Sequence, residues 1–125
     1  TLQGATWYLT LSGSGTQDVS SVNVQDSNAS DGSTIYAVGA STDSGNNTNW
    51  AFSGTGLTLT WTGVVNSTFS VAGNWNPQFS PAPTSNIIIP NKPNKPKLEA
   101  NTSINGLKIS EGGARLELNS YNLTI

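Results

Sequence analysis

Residues 104–125, INGLKISEGGARLELNSYNLTI, place the tightest constraint on what this chain can fold into. Leu107-Lys108-Ile109, Leu116-Glu117-Leu118 and Leu123-Thr124-Ile125 are three copies of one unit, an apolar pair straddling a polar residue. Apolar–polar alternation with a period of two is the pattern of a strand that buries one face. Between the copies stand Glu111-Gly112-Gly113 and Asn119-Ser120-Tyr121-Asn122, short polar turn sequences. The copies start nine and then seven residues apart, which fits successive faces of one coil better than separate hairpins. The same unit occurs earlier as Leu9-Thr10-Leu11 and Leu57-Thr58-Leu59.

The rest of the chain is written in similar short pieces. Strands are expected over 1–11, with Trp7, Leu9 and Leu11 on one face, and over 21–25, 33–40, 50–52 and 57–62. Residues 26–32 and 41–49 are dense in Asp, Asn, Ser and Gly and read as loops. Asn76 to Pro83 is too rich in proline for a central strand. The apolar triplet Ile87–Ile89 reads as a short strand buried on both faces, and Leu98 starts another toward Ala100. Asn91 to Lys97 repeats Asn-Lys-Pro and reads as an exposed loop of polyproline character. No segment has helical periodicity, so the expected class is all-β. Recurring Leu-x-Leu/Ile units are the signature of a β-solenoid, a parallel β-helix-like stack of short strands. The alternative is a β-sandwich completed by a neighbouring strand.

Charged residues make up 10% of the 125, against roughly 25% in average soluble proteins. With a net charge of only −2, low charge and low hydropathy do not add up to disorder. Five basic residues offer no phosphate footprint, so nucleic acid is not an expected partner. No apolar run approaches the roughly 20 residues of a membrane span. Without Cys there is neither a disulfide framework nor a thiolate site, and without His the commonest general base is missing. Met is absent as well, and the chain is expected to be a processed product or a piece of a longer one. A chain so rich in Asn, Ser, Thr and Gly is expected outside the cell.

Few residues are placed for chemistry. A Ser-His-Asp triad cannot be built, no Gly-x-Ser-x-Gly elbow occurs, and none of the seven acids stands out as half of a catalytic pair. The chain is therefore not expected to be an enzyme. Asp26, Asn28 and Asp31 alternate like oxygen ligands of a calcium loop, and calcium is the one cofactor considered. The EF-hand order wants Gly where Asp31 stands, however, and a Glu later that is missing; an Asx-rich turn accounts for the pattern. Trp75, beside Pro77, is the aromatic placed for exposure and for contact with a surface glycan, whereas Trp7 and Trp50 sit in phase with apolar neighbours and are expected in the core. Asn28, Asn46, Asn66, Asn101 and Asn122 head Asn-x-Ser/Thr sequons.

From Trp61 onward, the order Trp61-Thr-Gly63, Gly73-Asn-Trp75, Pro83, Asn86-Ile-Ile-Ile-Pro90, Ile104-Asn-Gly-Leu107 resembles repeat modules of large secreted bacterial surface proteins, of the β-solenoid adhesin kind. The resemblance implies a structural or adhesive role at the cell surface, as one repeat among many. Residues 1–60 then look like the closing segment of one repeat, and 61–125 like the opening segment and coils of the next. Read head to tail, NSYNLTI followed by TLQGATWYLTL is an uninterrupted strand sequence. The expected function is accordingly an extracellular structural protein, a subunit or repeat of a filament or fibre joined through strand edges. Its partners are other copies of itself. The expected interface is Leu2, Trp7, Leu9 and Leu11 at one end, Leu116, Leu118, Leu123 and Ile125 at the other. The alternative is an adhesin module that binds carbohydrate or another surface.

Overall fold

Short strands must find a partner for each edge, and here almost every partner lies in parallel. A computed structural model describes residues 4–13 and 17–125, which form two compact units, Thr1–Ser53 and Gly54–Ile125. Thr58–Trp61 pairs within the second unit. Among the described residues there is no α-helix, only one 3₁₀ turn at Ala72–Asn74.

The first unit contains β1 (Trp7–Tyr8), β2 (Asn23–Val24), β3 (Ser27–Asn28), β4 (Ile35–Tyr36), β5 (Thr42–Asp43) and β6 (Trp50–Ala51). β1 pairs with β3, β2 with β5 and β4 with β6, all parallel. Single parallel bridges add Ser20 to Val38 and Asn28 to Thr48. Parallel strands cannot be joined by a tight hairpin, so the chain travels a full circuit before lying beside itself: Trp7 meets Ser27 and Asn28 meets Thr48. Corners are set by residues that tolerate left-handed backbone. Asp26 has φ 56° and Asn46 has φ 57°, and the Asn46 Nδ2 donates to Asp26 Oδ1 at 2.9 Å. Val24, Ala29, Ile35 and Ala37 are buried together with Ser27, whose Oγ accepts the Trp50 indole N–H at 3.0 Å. Trp7 is not a core residue, contrary to the expectation from its phase. It is 38% exposed, since β1 has a neighbouring circuit on one side only.

The second unit contains β7 (Thr58–Trp61), β8 (Trp75–Asn76), β9 (Asn86–Ile89), β10 (Thr102–Ser103), β11 (Gly106–Ile109) and β12 (Leu123–Thr124). One sheet has the order β11-β9-β7-β8, parallel except for the antiparallel β7–β8 pair. β10 pairs in parallel with β12, and a third row runs Thr68, Lys97, Glu117. Leu59, Trp61, Phe69, Trp75, Ile87, Ile89, Leu98 and Ile104 fill the interior. Trp75 stands edge-on to both Trp61 and Phe69, with ring centroids 5.0 Å away in each case, a favoured aromatic geometry.

Several local expectations change. Ile87 and Ile89 are buried but Ile88 between them is only half-buried, so β9 alternates instead of burying both faces. The Asn91–Lys97 loop is exposed over most of its length, as expected, but is pinned near its end: Pro96 is fully buried, and the Asn94 carbonyl accepts the Trp61 indole N–H at 2.8 Å. β3, β5, β8 and β10 occupy stretches with no strand signal. The three apolar units at 107, 116 and 123 belong to one circuit, each paired in parallel with the circuit before it, in β11, at Glu117 and in β12.

The two units share one spacing, the return of a row after twenty residues, while other pairs return after 15 to 19 residues in the first unit and after up to 29 in the second. Counted from Trp7, the next rows are met at Ser20 and Asn23, and the first row returns at Ser27. Counted from Asn86, they are met at Lys97 and Thr102, and the first row returns at Gly106. Both circuits return after twenty residues.

Candidate functional site: the open ends of the parallel rows

Parallel register pairs place like residues side by side, and burial along them locates the open edges. Ile89 and Ile109 are register partners on β9 and β11, yet Ile89 is 0% exposed and Ile109 is 48% exposed. In the β10–β12 row, Ile104 is 4% exposed and Ile125, one circuit later, is 68% exposed. Leu98 is buried and Leu118, which follows the Lys97–Glu117 bridge, is exposed. The side chains are equivalent; what differs is whether another circuit lies on top. Burying a Leu or Ile contributes about 1.5–3 kcal/mol, so this end leaves a favourable contact unmade. β11 is also the edge of its sheet, with unpaired backbone groups along one side.

The other end of the second unit is closed. β8 lies antiparallel on the free edge of β7, pinned by the Trp75 indole N–H, which donates to the Phe69 carbonyl at 2.7 Å. Asn74 anchors the same segment. Fully buried, its Oδ1 accepts from Val65 N and Asn66 N at 3.0 Å each, and its Nδ2 donates to Asn66 Oδ1 and to the Thr68 carbonyl.

The first circuit of the first unit is open. Trp7 and Leu9 are about two-fifths exposed, on the side where Ser27 and Ala29 are buried one circuit on. Beside them Leu9, Leu11, Val19, Ile35 and Trp50 line an apolar cleft of about 240 Å³.

Charge divides between the units: all four Asp and no basic residue lie in the first, all five basic residues and the three Glu in the second. On the last circuit, Glu117 pairs with Lys97 at 3.3 Å and with Arg115 at 3.0 Å. Hydrogen bonding to Lys97 first, and to Arg115 second, holds the Glu117 carboxyl below its ordinary value of 4.5.

The expected interface residues fall at these two ends. Trp7, Leu9 and Leu11 belong to the first circuit, and Leu116, Leu118, Leu123 and Ile125 to the last; Leu2 lies outside the described residues. Ile109 was missing from the expected set although it carries the same alternating signal. Trp75 is a correction. At 1% exposure it is a core aromatic, drawn in by Trp61 and Phe69, and it cannot stack on a glycan.

The calcium loop is likewise occupied by its own hydrogen bonds. Asp26 is buried, with Oδ2 accepting from Gly4 N and Oδ1 from Asn46; Asn28 Oδ1 accepts from Ser30 N in an Asx turn; Asp31 is exposed. Among the described residues, no three acidic, His or Cys side chains gather as a metal site. Of the sequon asparagines, Asn28 is half-buried and Asn46, Asn66, Asn101 and Asn122 are exposed; the side-chain amides of Asn28, Asn46, Asn66 and Asn101 hold neighbouring turns or strands.

No family model, no characterised protein and no solved structure matched this chain in the three comparisons made.

Proposed function

We propose that this chain is a structural unit of an extracellular filament or fibre, a β-solenoid whose coils are extended by further coils at their open ends. The observation that carries the proposal is the loss of burial at the last circuit, where Ile109, Leu118 and Ile125 repeat inward positions that are closed one circuit earlier. A coil added there would bury those side chains and complete the β11 edge with main-chain hydrogen bonds. An open, unprotected edge is an aggregation hazard for a monomer, and this chain protects β7 with β8 while leaving β11 bare. The surface location rests on the composition and on the resemblance to secreted surface repeats. The rival view, a carbohydrate- or surface-binding adhesin module, loses Trp75, the aromatic expected to carry its glycan contact, to the core.

Electron microscopy of the chain beside a Leu123→Lys, Ile125→Lys variant tests the proposal. Filaments from the first and dispersed folded particles from the second are expected. Dispersed folded particles from both would contradict it.

A further inference from the structure

We infer that Asn66 is the acceptor of an N-linked sugar whose first ring lies over Val64 and Val65. The site belongs to the second unit, has described chain on both sides, and stands apart from the proposed filament. Asn66-Ser67-Thr68 is a sequon, and its asparagine is exposed. Asn66 Oδ1 accepts from Thr68 N and from Asn74 Nδ2, each at 2.8 Å. Among the described residues no hydrogen bond engages Asn66 Nδ2. The amide is therefore fixed by its oxygen with its nitrogen left free.

The other sequons lack this combination. Asn28 is half-buried within β3. Asn46 spends Nδ2 on Asp26. The two residues after Asn101 are β10, and the two after Asn122 are β12, so both acceptor segments run straight into paired strands. Asn101 Oδ1 has one donor, Asn122 N, where Asn66 Oδ1 has two.

The turn around Asn66 supplies the second observation. Asn74 holds it from within: its Oδ1 accepts from Val65 N and Asn66 N at 3.0 Å each, and its carbonyl accepts from Thr62 N at 2.8 Å and Gly63 N at 3.2 Å. Turn tips are ordinarily built from small polar residues. This one is rigid and carries Val64 at 73% and Val65 at 58% exposure. Two valines on a pinned turn cannot fold away from water. The C–H face of a pyranose attached at the next residue would cover them, and removing apolar surface from water is favourable.

The donor is a glycosyl diphosphate. Asn66 Nδ2 attacks its anomeric carbon, the C–N bond forms, and the bond from that carbon to the diphosphate oxygen breaks. The diphosphate leaves with the electron pair, and the amide gives up one proton to a base of the transferase. An amide nitrogen becomes nucleophilic as its oxygen gains negative charge, and the two donors on Asn66 Oδ1 favour that charged form.

Mass spectrometry of the native material tests the assignment. After denaturation, chymotryptic cleavage behind Trp61 and Phe69 releases residues 62–69, which hold Asn66 as their one asparagine. This peptide should carry a sugar mass, and in Asn66→Gln the mass should be lost. Thr68→Ala should lose it too, while its backbone N–H still serves Asn66 Oδ1. Circular dichroism checks that both variants are folded. A ladder of single sugars would mark stepwise transfer from a nucleotide sugar, and one block of fixed mass would mark transfer from a lipid carrier; either supports the site. Nuclear Overhauser contacts should join the first ring to the Val64 or Val65 methyls. A peptide 62–69 of unmodified mass would overturn the inference, and so would a sugar released by mild alkali, which would sit on Ser67 or Thr68. A sugar on Asn66 without contacts to either valine would overturn the covering role.

Discussion

Asn74 shows how much of the second unit depends on one polar side chain. It makes four hydrogen bonds in a site without solvent, holding Val65, Asn66 and Thr68 in the turn that precedes β8. Asn74→Ala leaves those groups unpaired, and at about 1–3 kcal/mol per buried orphan the chain should lose at least ~2 kcal/mol, read as a lower urea midpoint. Glu117 supplies a pH-dependent contact. Its carboxyl is held below 4.5 in the folded chain, so its contribution is complete above that value and is lost as the pH falls through the lowered one. An NMR titration should find the depressed value, and Lys97→Ala should move it upward, because Lys97 is the larger cause. At this scale the sequence was least legible. Nothing in Gly-Asn-Trp distinguishes a buried anchor and a buried ring from an exposed loop. The decision is made by Phe69, Trp61 and the 65–68 turn, which reach Asn74 and Trp75 only after folding.

At the scale of elements, Ile89 and Ile109 form a controlled comparison: one residue type, one column, adjacent strands. Ile89→Lys puts an unpaired charge into a closed interior and should unfold the second unit, a loss of at least ~4 kcal/mol in the range of buried-charge and cavity mutations. Ile109→Lys sits on the open edge and should cost under about 1 kcal/mol, as surface changes do, while abolishing assembly. Denaturant melts and sedimentation of the two variants check both halves. The alternation that marks β9, β11 and β12 is visible in the sequence because Ile, Leu and Lys differ sharply in where they can be placed. β3, β5 and β10 were not visible, because Ser27, Thr42 and Thr102 carry no such contrast. Two-residue strands like these exist only because a partner passes nineteen to twenty-one residues away. A local window does not contain that partner.

At the largest scale, parallel pairs made twenty and twenty-one residues back tie the apolar units of residues 104–125 to the chain before them and leave Ile109 and Ile125 exposed. Low charge favours close stacking, and the charge that is present is split between acidic first unit and basic second. The all-β class built of short strands was within reach of the sequence, since alternating apolar pairs separated by polar turns recur along it and no segment has helical periodicity. The capped β7 edge was not, since it depends on a proline-rich segment folding back antiparallel. The central claim is that coils continue from copy to copy, and X-ray diffraction from aligned native assemblies tests it most directly. Strands running across the fibre should give a meridional reflection at about 4.8 Å, lost in the Leu123→Lys, Ile125→Lys variant. Fibres without that reflection, or a chain that yields no fibres at any concentration, would contradict the account.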